Sequence, residues 1–307
     1  MAKTIYRGDY RAPTHLIDTI RLEFDLNAEE TLVKSTLEVR PNPECTEKDP
    51  PLFLNGEDIS LRSVSLDGRE LKDGEYKVEG SGLTIPGIKS AQKLEIVNTF
   101  SPRANTALSG IYASGVNLMS QCEAQGFRRI TFFEDRPDVL ARYTIVIRGS
   151  TEDFPVMLSN GNLTEDRMLE DGRREVTYVD PFPKPCYLFA LVAGKLVSRA
   201  SKFSLKDGRT VDLSVWVDPQ DLDKTEHTLE SLKRAIRWDE ERWGLELDLN
   251  DFKIVATNDF NFGAMENKGL NIFNSRCALA NPKVAATTCA LRASSATNTS
   301  TTGRATA

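Results

Sequence analysis

The 307-residue sequence is 40% hydrophobic and 27% charged, with 39 basic against 45 acidic residues and a net charge of −6. Ordinary globular composition at this length calls for about two domains. The acid excess argues against nucleic acid or an anionic membrane as main partner, since both require clustered Lys and Arg, and no run approaches the roughly eighteen apolar residues of a membrane span.

The opening "MAKTIYRGDYRAPTHL" (Met1 to Leu16) has no apolar core of a secretion signal. The five cysteines, Cys45, Cys122, Cys186, Cys277 and Cys289, are odd in number and never in C-x-x-C spacing. Reduced thiols and a cytoplasmic location are therefore expected, with no cysteine metal site. The two histidines, His15 and His227, stand far apart and cannot build a local zinc site.

"IDTIRLEFDL" (Ile17 to Leu26) and "LVKSTLEVRP" (Leu32 to Pro41) alternate apolar and polar residues, the period of half-buried strands. Turn signals recur as "LNG" at Leu54, "LDG" at Leu66, "KDG" at Lys72, "SNGN" at Ser159 and "EDG" at Glu170. With no long helical period before about residue 220, the first part reads as a large antiparallel sheet or sandwich with one wet face.

The pattern then changes. Leu229, Leu232, Ile236 and Trp243 fall at helical spacings, with acids early and Gly244 just past the expected end. The segment "LKRAIR" (Leu232 to Arg237) reads as part of a solvated helix face. Two apolar strands, "FKIVATNDF" (Phe252 to Phe260) and "GLNIFN" (Gly269 to Asn274), follow. We expect a β-rich domain over 1–194 and the incomplete start of an α/β domain over 195–283. A low-complexity tail, expected to be disordered, occupies 284–307.

Between the two late strands stands "NFGAMENKG" (Asn261 to Gly269). A glycine at 263 lets the backbone approach an extended ligand, whose main chain can pair along a strand edge. Glu266 offers a carboxylate to a cationic amine. An ordinary turn with solvated Glu266 and Asn267 is the competing reading.

The pentapeptide Gly263-Ala264-Met265-Glu266-Asn267 resembles the signature of the zinc aminopeptidase N family, gluzincin metallopeptidases. "QCEAQGFRRITFFEDRPDV" (Gln121 to Val139), "DPFPKPCYLFALVAGKL" and "WDEERWGLELDLNDF" resemble its bacterial-type branch, and the likeness runs from Tyr10 to about Lys283. It implies a saddle-like β domain followed by a thermolysin-like catalytic domain. It also implies release of N-terminal residues from peptides by zinc-activated water, with peptides bearing a free N-terminus as partners.

By this resemblance Glu123 and Glu266 meet the substrate amine, with Gln121 beside them. Phe262, Gly263, Ala264, Met265 and Asn267 complete the substrate-binding set. Phe262 stands where the branch has Met, and two readings are open: a first specificity pocket, or core packing. Ala264 separates the chain from epoxide-hydrolysing relatives, which tend to carry Gly there.

The family's zinc motif, H-E-x-x-H on a helix, is absent from the sequence. The closing "SSATNTSTTGRATA" (Ser294 to Ala307) bears on this. Read one frame off, the codons of Ser295 to Ala307 are compatible with G-H-E-Y-F-H-N-W-T-G-N-R, the family's zinc-helix region. A frameshift between Pro282 and Ser295 is therefore expected, leaving a truncated chain with no catalytic or metal residues retained, no bound zinc and no hydrolysis. The alternative is a non-catalytic β-rich fragment that binds peptides or proteins. An unstable fragment is a third outcome, because half a catalytic domain leaves sheet edges and apolar faces uncovered.

Overall fold

The computed structural model describes residues 6–279. His15–Asp25 lies at the centre of an eight-stranded sheet, flanked by Thr31–Pro41 on one side and Leu140–Gly149 on the other. The alternation seen in the sequence places Ile20, Leu22, Phe24, Val33, Leu37 and Val39 in the core, with polar residues between them. The pair formed with Leu140–Gly149 is parallel, so the sheet is mixed rather than wholly antiparallel. The single-sequence alternation carries no information on strand direction, because period two is common to both ladders.

The outer face of this sheet is wet and charged. Arg148 bridges Glu23 at 2.9 Å and Glu175 at 2.5 Å, and Glu175 also takes Arg167. The inner face covers a four-stranded sheet ordered Val156–Ser159, Leu191–Gly194, Asn117–Gln121, Gly110–Ser114, and a small three-stranded sheet. Phe127 sits at the middle of the shared core, edge-on to Phe133 at 5.2 Å and to Phe189 at 5.3 Å. Of the expected turns, "LDG" forms a two-residue hairpin turn, with Asp67 at φ 49° and Gly68 at φ 81°. At "LNG", by contrast, Asn55 ends a strand, and Gly56 is pressed under the Phe132 ring, where a Cβ would lie 2.3 Å from it.

The next strand begins at Val197, in a five-stranded sheet ordered Val197–Ser204, Thr210–Val217, Asp251–Thr257, Leu270–Asn274, Ala264–Met265. The parallel step from Thr210–Val217 to Asp251–Thr257 needs a crossover, and the helix Glu226–Arg242 lies within it. Leu229, Leu232 and Ile236 bury its apolar stripe against Leu213, Val215 and Ile254. Trp243 does not join that stripe. It caps the helix, remains 47% exposed and meets the exposed Trp238 edge-on at 6.2 Å. The helix has ended by then, and Gly244 at φ 64° turns the chain away.

The inner strands Asp251–Thr257 and Leu270–Asn274 are buried on both faces, which accounts for their apolar character. Ile254, Ala256 and Phe273 face the helix, whereas Val255, Met265, Leu270 and Ile272 pack on Tyr112, Met119, Leu188 and Val192 of the four-stranded sheet. Asn160 seals this seam: its Nδ2 donates to Leu188 O at 3.0 Å and Lys268 O at 2.8 Å, and its Oδ1 accepts from Ala190 N. Lys184 and Asp180 form a fully buried pair at 3.1 Å, with the Lys184 ammonium 3.6 Å from the Tyr143 ring centroid. Burial lowers the Lys184 pKa to about 8 against the pull of Asp180.

No helix among the described residues is long and apolar enough to cross a membrane. The four cysteines among them, Cys45, Cys122, Cys186 and Cys277, are free thiols. The low-complexity tail, Cys289 and the expected frame change lie outside the described residues.

Candidate active site

Two chain segments from different sheets converge at the seam. The first leaves the strand Asn117–Gln121 through the tight turn Cys122 to Gly126, closed by Gly126 N–H donating to Cys122 O at 2.8 Å. A Cβ on Gly126 would lie 2.5 Å from Gln121 O, so only glycine permits the turn to close. Phe127 then anchors the chain in the core and leaves Glu123 at the surface.

The second segment is the short edge strand Ala264–Met265, paired antiparallel with Leu270–Asn274 through Ala264 with Phe273 and Met265 with Ile272. Strand alternation buries Met265 completely and leaves Ala264 and Glu266 half-buried. Gly269 at φ 73° returns the chain to the sheet, with Leu270 N–H donating to Asn267 O at 3.0 Å. On its other side the strand has no neighbour among the described residues, so its outer edge can pair with an extended ligand.

Gln121 joins the two segments by donating from Nε2 to Met265 Sδ at 3.7 Å. Its Oε1 is buried without a hydrogen-bond partner among the described residues. Burial first, and then the Glu266 charge, raise the Glu123 carboxyl above its usual pKa. Two carboxylates and one unpaired amide oxygen therefore serve one locality. That set matches a primary ammonium, which has three N–H donors and a single positive charge.

Gly263 stands beside this pocket in an exposed position. Its carbonyl accepts from Asn274 N–H at 2.9 Å, and among the described residues a Cβ added to it would meet only Cys277 Sγ at 3.5 Å. Packing among the described residues thus does not demand glycine here, unlike at Gly126. Among the described residues Phe262 is 47% exposed, with its ring centroid 6.3 Å from that of Phe260. Asn267 is buried, and its amide oxygen and nitrogen have no hydrogen-bond partner among the described residues.

Two polar groups escaped the sequence reading. Tyr187 faces the acid pair, with its phenol raised by burial and by the charges of Glu266 and Glu123. Glu134, buried at the end of a separate groove, has its carboxyl raised to about 7, chiefly by burial. Both lie inside stretches already singled out, but their environments depend on strands far apart in sequence. Nothing local could have marked them.

The described residues contain no group of three His, Cys, Asp or Glu side chains placed to hold a metal ion. His15 is buried, with Nδ1 2.9 Å from Thr14 Oγ1 and Nε2 3.3 Å from Ile88 O, and serves the fold. These residues do not fit a zinc site.

The peptidase M1 N-terminal domain pattern matches residues 7–188, and the peptidase family M1 domain pattern matches residues 227–297. The chain is 50% identical to aminopeptidase N of Caulobacter vibrioides over 278 residues, covering 91% of this chain and 32% of that protein. Against aminopeptidase N of Escherichia coli the identity is 48% over 275 residues, covering 90% of this chain and 31% of that one. The chain thus spans about a third of the length of these relatives. Among solved structures, Legionella pneumophila aminopeptidase A in complex with aspartic acid superposes with a TM-score of 0.90 at 32% identity, over 95% of this chain and 35% of that one. With the first domain pattern covering more than half its length, the chain belongs to the peptidase M1 family.

Proposed function

We propose that this chain is the amine-recognition portion of a metallo-aminopeptidase that releases N-terminal residues from peptides. The observation that carries the reading is the convergence of Glu123 and Glu266 from two different sheets on one locality, beside the unpartnered Gln121 Oε1. A free N-terminus brings a positive charge and three donors to these acceptors. An acylated or internal nitrogen brings no charge, so a pair of carboxylates would disfavour it. The peptide would run along the outer edge of Ala264–Met265, close to the bare backbone of Gly263, with Phe262 bordering its first side chain. Asn267 fixes the turn that presents Glu266.

In the same reading the β-rich domain ends at Gly194 and the catalytic one begins at Lys195, which the end of the strand Leu191–Gly194 and the start of the next at Val197 support. Zinc, in this reading, supplies the Lewis acid and the activated water of the full-length peptidase. The described residues offer no donor set for it, and the 307-residue sequence contains no H-E-x-x-H. We therefore propose that a polypeptide of this sequence binds peptide amines without hydrolysing them.

Titration of the chain with L-leucinamide and with N-acetyl-L-leucinamide tests the recognition claim. Selective binding of the free amine is expected. Equal binding of both compounds, or none of either, would remove the reading. Incubation with an aminoacyl reporter tests the second claim, and zinc-dependent release of the reporter would overturn it.

A further inference from the structure

A second groove, of about 450 Å³, is lined by Glu134, Asp135 and Arg136 together with Arg11 and Arg128. Its size suits a small ligand. The backbone beneath it is fixed. Asn55 and Phe133 exchange N–H···O bonds of 2.8 and 3.1 Å, Asp135 N–H donates to Asn55 Oδ1 at 3.2 Å, and Arg136 N–H donates to Glu134 O at 2.9 Å. Phe133 fills the core, while the buried Asp135 accepts from Arg128 Nε at 2.9 Å and from Cys186 Sγ at 3.1 Å. Held between two anchored residues, Glu134 is only 7% exposed.

The Glu134 carboxyl makes no hydrogen bond among the described residues. Its Oε2 is buried without a partner, and its Oε1 stands 4.0 Å from Arg136 Nη1, beyond hydrogen-bonding reach. Around it, N–H groups are left over. Arg136 commits Nε and Nη2 to Asp138 and Arg11 O, which leaves Nη1. Arg128 commits Nε and Nη2 to Asp135, which again leaves Nη1. Arg11, at the exposed rim, uses only Nη1, on Gly8 O and Tyr10 O, and forms no ion pair among the described residues. Phe53, 42% exposed, and Pro51 supply an apolar wall.

A carboxyl buried without hydrogen bonds retains its proton to higher pH. Burial raises Glu134 to about 7, with Arg136 opposing and Asp138 adding to the rise. Of the other acids nearby, Asp135 is bound to Arg128, Asp138 to Arg136 and the Tyr10 hydroxyl, and Glu47 lies exposed at the rim. In its neutral form Glu134 becomes a donor. The groove then presents one O–H and several guanidinium N–H groups with no acceptor among them.

We propose that this groove binds a small carboxylate, whose oxygens accept from the Glu134 O–H and from the uncommitted N–H groups of Arg136, Arg128 and Arg11. The apolar part of the ligand would lie against Phe53 and Pro51. Where Glu134 is ionised, it takes up one proton from water as the ligand binds. An ammonium would prefer the ionised Glu134 and meet repulsion from the guanidinium groups. The groove shares no residue with the amine pocket, although Gln125 borders it from the turn that carries Glu123. Either site can therefore stand without the other.

The test is calorimetric titration of the chain with N-acetyl-L-leucine, which carries a carboxylate and no ammonium, with N-acetyl-L-leucinamide as control. We expect binding of the acid alone, its affinity falling about tenfold from about pH 6 to about pH 8 as Glu134 ionises. Glu134→Gln keeps an N–H donor and removes the titration. It should bind with nearly constant affinity over this range and more tightly than the parent at the alkaline end. Arg11→Ala, a change at the exposed rim, should weaken binding by about two- to fivefold. N-acetyl-trialanine separates the two sources of such a group: comparable binding assigns a peptide C-terminus, and exclusion assigns a free small acid.

No binding of N-acetyl-L-leucine at the acid end, or equal binding of its amide, overturns the proposal. So does an affinity that rises with pH, which would mark a cation site. A folded Glu134→Gln variant that keeps the parent's pH profile overturns it as well, because Glu134 would then hold no proton for the ligand.

Discussion

Replacing Glu266 by Gln separates binding from folding, because the two should change in opposite directions. Glu266 raises the Glu123 carboxyl, so the pair repels in the unliganded chain. A carboxyl whose folded pKa lies above its unfolded value costs stability once the pH exceeds the unfolded value. Burial is the larger cause of the shift, so removing the second charge relieves part of that cost. Glu123 is an exposed side chain, so solvent screening holds the gain to about a few tenths of a kcal/mol. Binding moves the other way. A charge-assisted hydrogen bond contributes about 1.5–3 kcal/mol, so L-leucinamide affinity should fall roughly 10- to 150-fold. The pH dependence carries a further sign. Affinity for the amine needs ionised carboxylates and is lost as pH falls through the raised Glu123 pKa. With Glu266 neutral, the Coulombic contribution disappears and burial remains, so the acid limb should move to lower pH although the affinity is weaker. The assays are thermal unfolding at pH 7 and calorimetric titration across pH. A less stable variant with unchanged affinity would refute the reasoning, since it would make Glu266 a structural acid.

Gly263→Ala should fold as well as the parent, since among the described residues its Cβ meets only Cys277 Sγ at 3.5 Å. It should nevertheless weaken binding of a leucyl dipeptide by about tenfold, as expected for one lost main-chain contact, and an unchanged affinity would detach the glycine from the ligand path. Lys184→Met should destabilise the fold by about 3–5 kcal/mol, because Asp180 is left charged in a fully buried site. Adding Asp180→Leu should recover most of that loss in urea unfolding, and a double variant no better than the single one would contradict it. Sequencing of genomic DNA and transcript across codons 281–307 should return an added or missing base that restores G-H-E-Y-F-H-N-W. An intact frame as given would dismiss the frameshift.

Much of the fold was legible because it depends on local period. The alternation in Ile17 to Leu26 gave the strand His15–Asp25 within two residues at its start and one at its end. The spacing of Leu229, Leu232 and Ile236 gave the helix. What stayed hidden depends on partners far along the chain. The parallel pairing with Leu140–Gly149 joins strands more than a hundred residues apart, and no periodicity encodes it. Trp243 was misplaced because an apolar residue one position past a helix end looks the same in sequence as one inside it. At the candidate site, resemblance singled out Glu123 and Glu266 as candidates, whereas the surroundings of Tyr187 and of Gln121 Oε1 emerged only when two sheets met.

The most direct test of the amine site is a crystal structure of the chain with a leucyl dipeptide bound. The account requires the dipeptide's free amino nitrogen to lie within hydrogen-bonding distance of Glu123, Glu266 and Gln121 Oε1. Its main chain should pair along the outer edge of Ala264–Met265. A dipeptide seated elsewhere, or one held by its carboxylate with the amine in solvent, would contradict it.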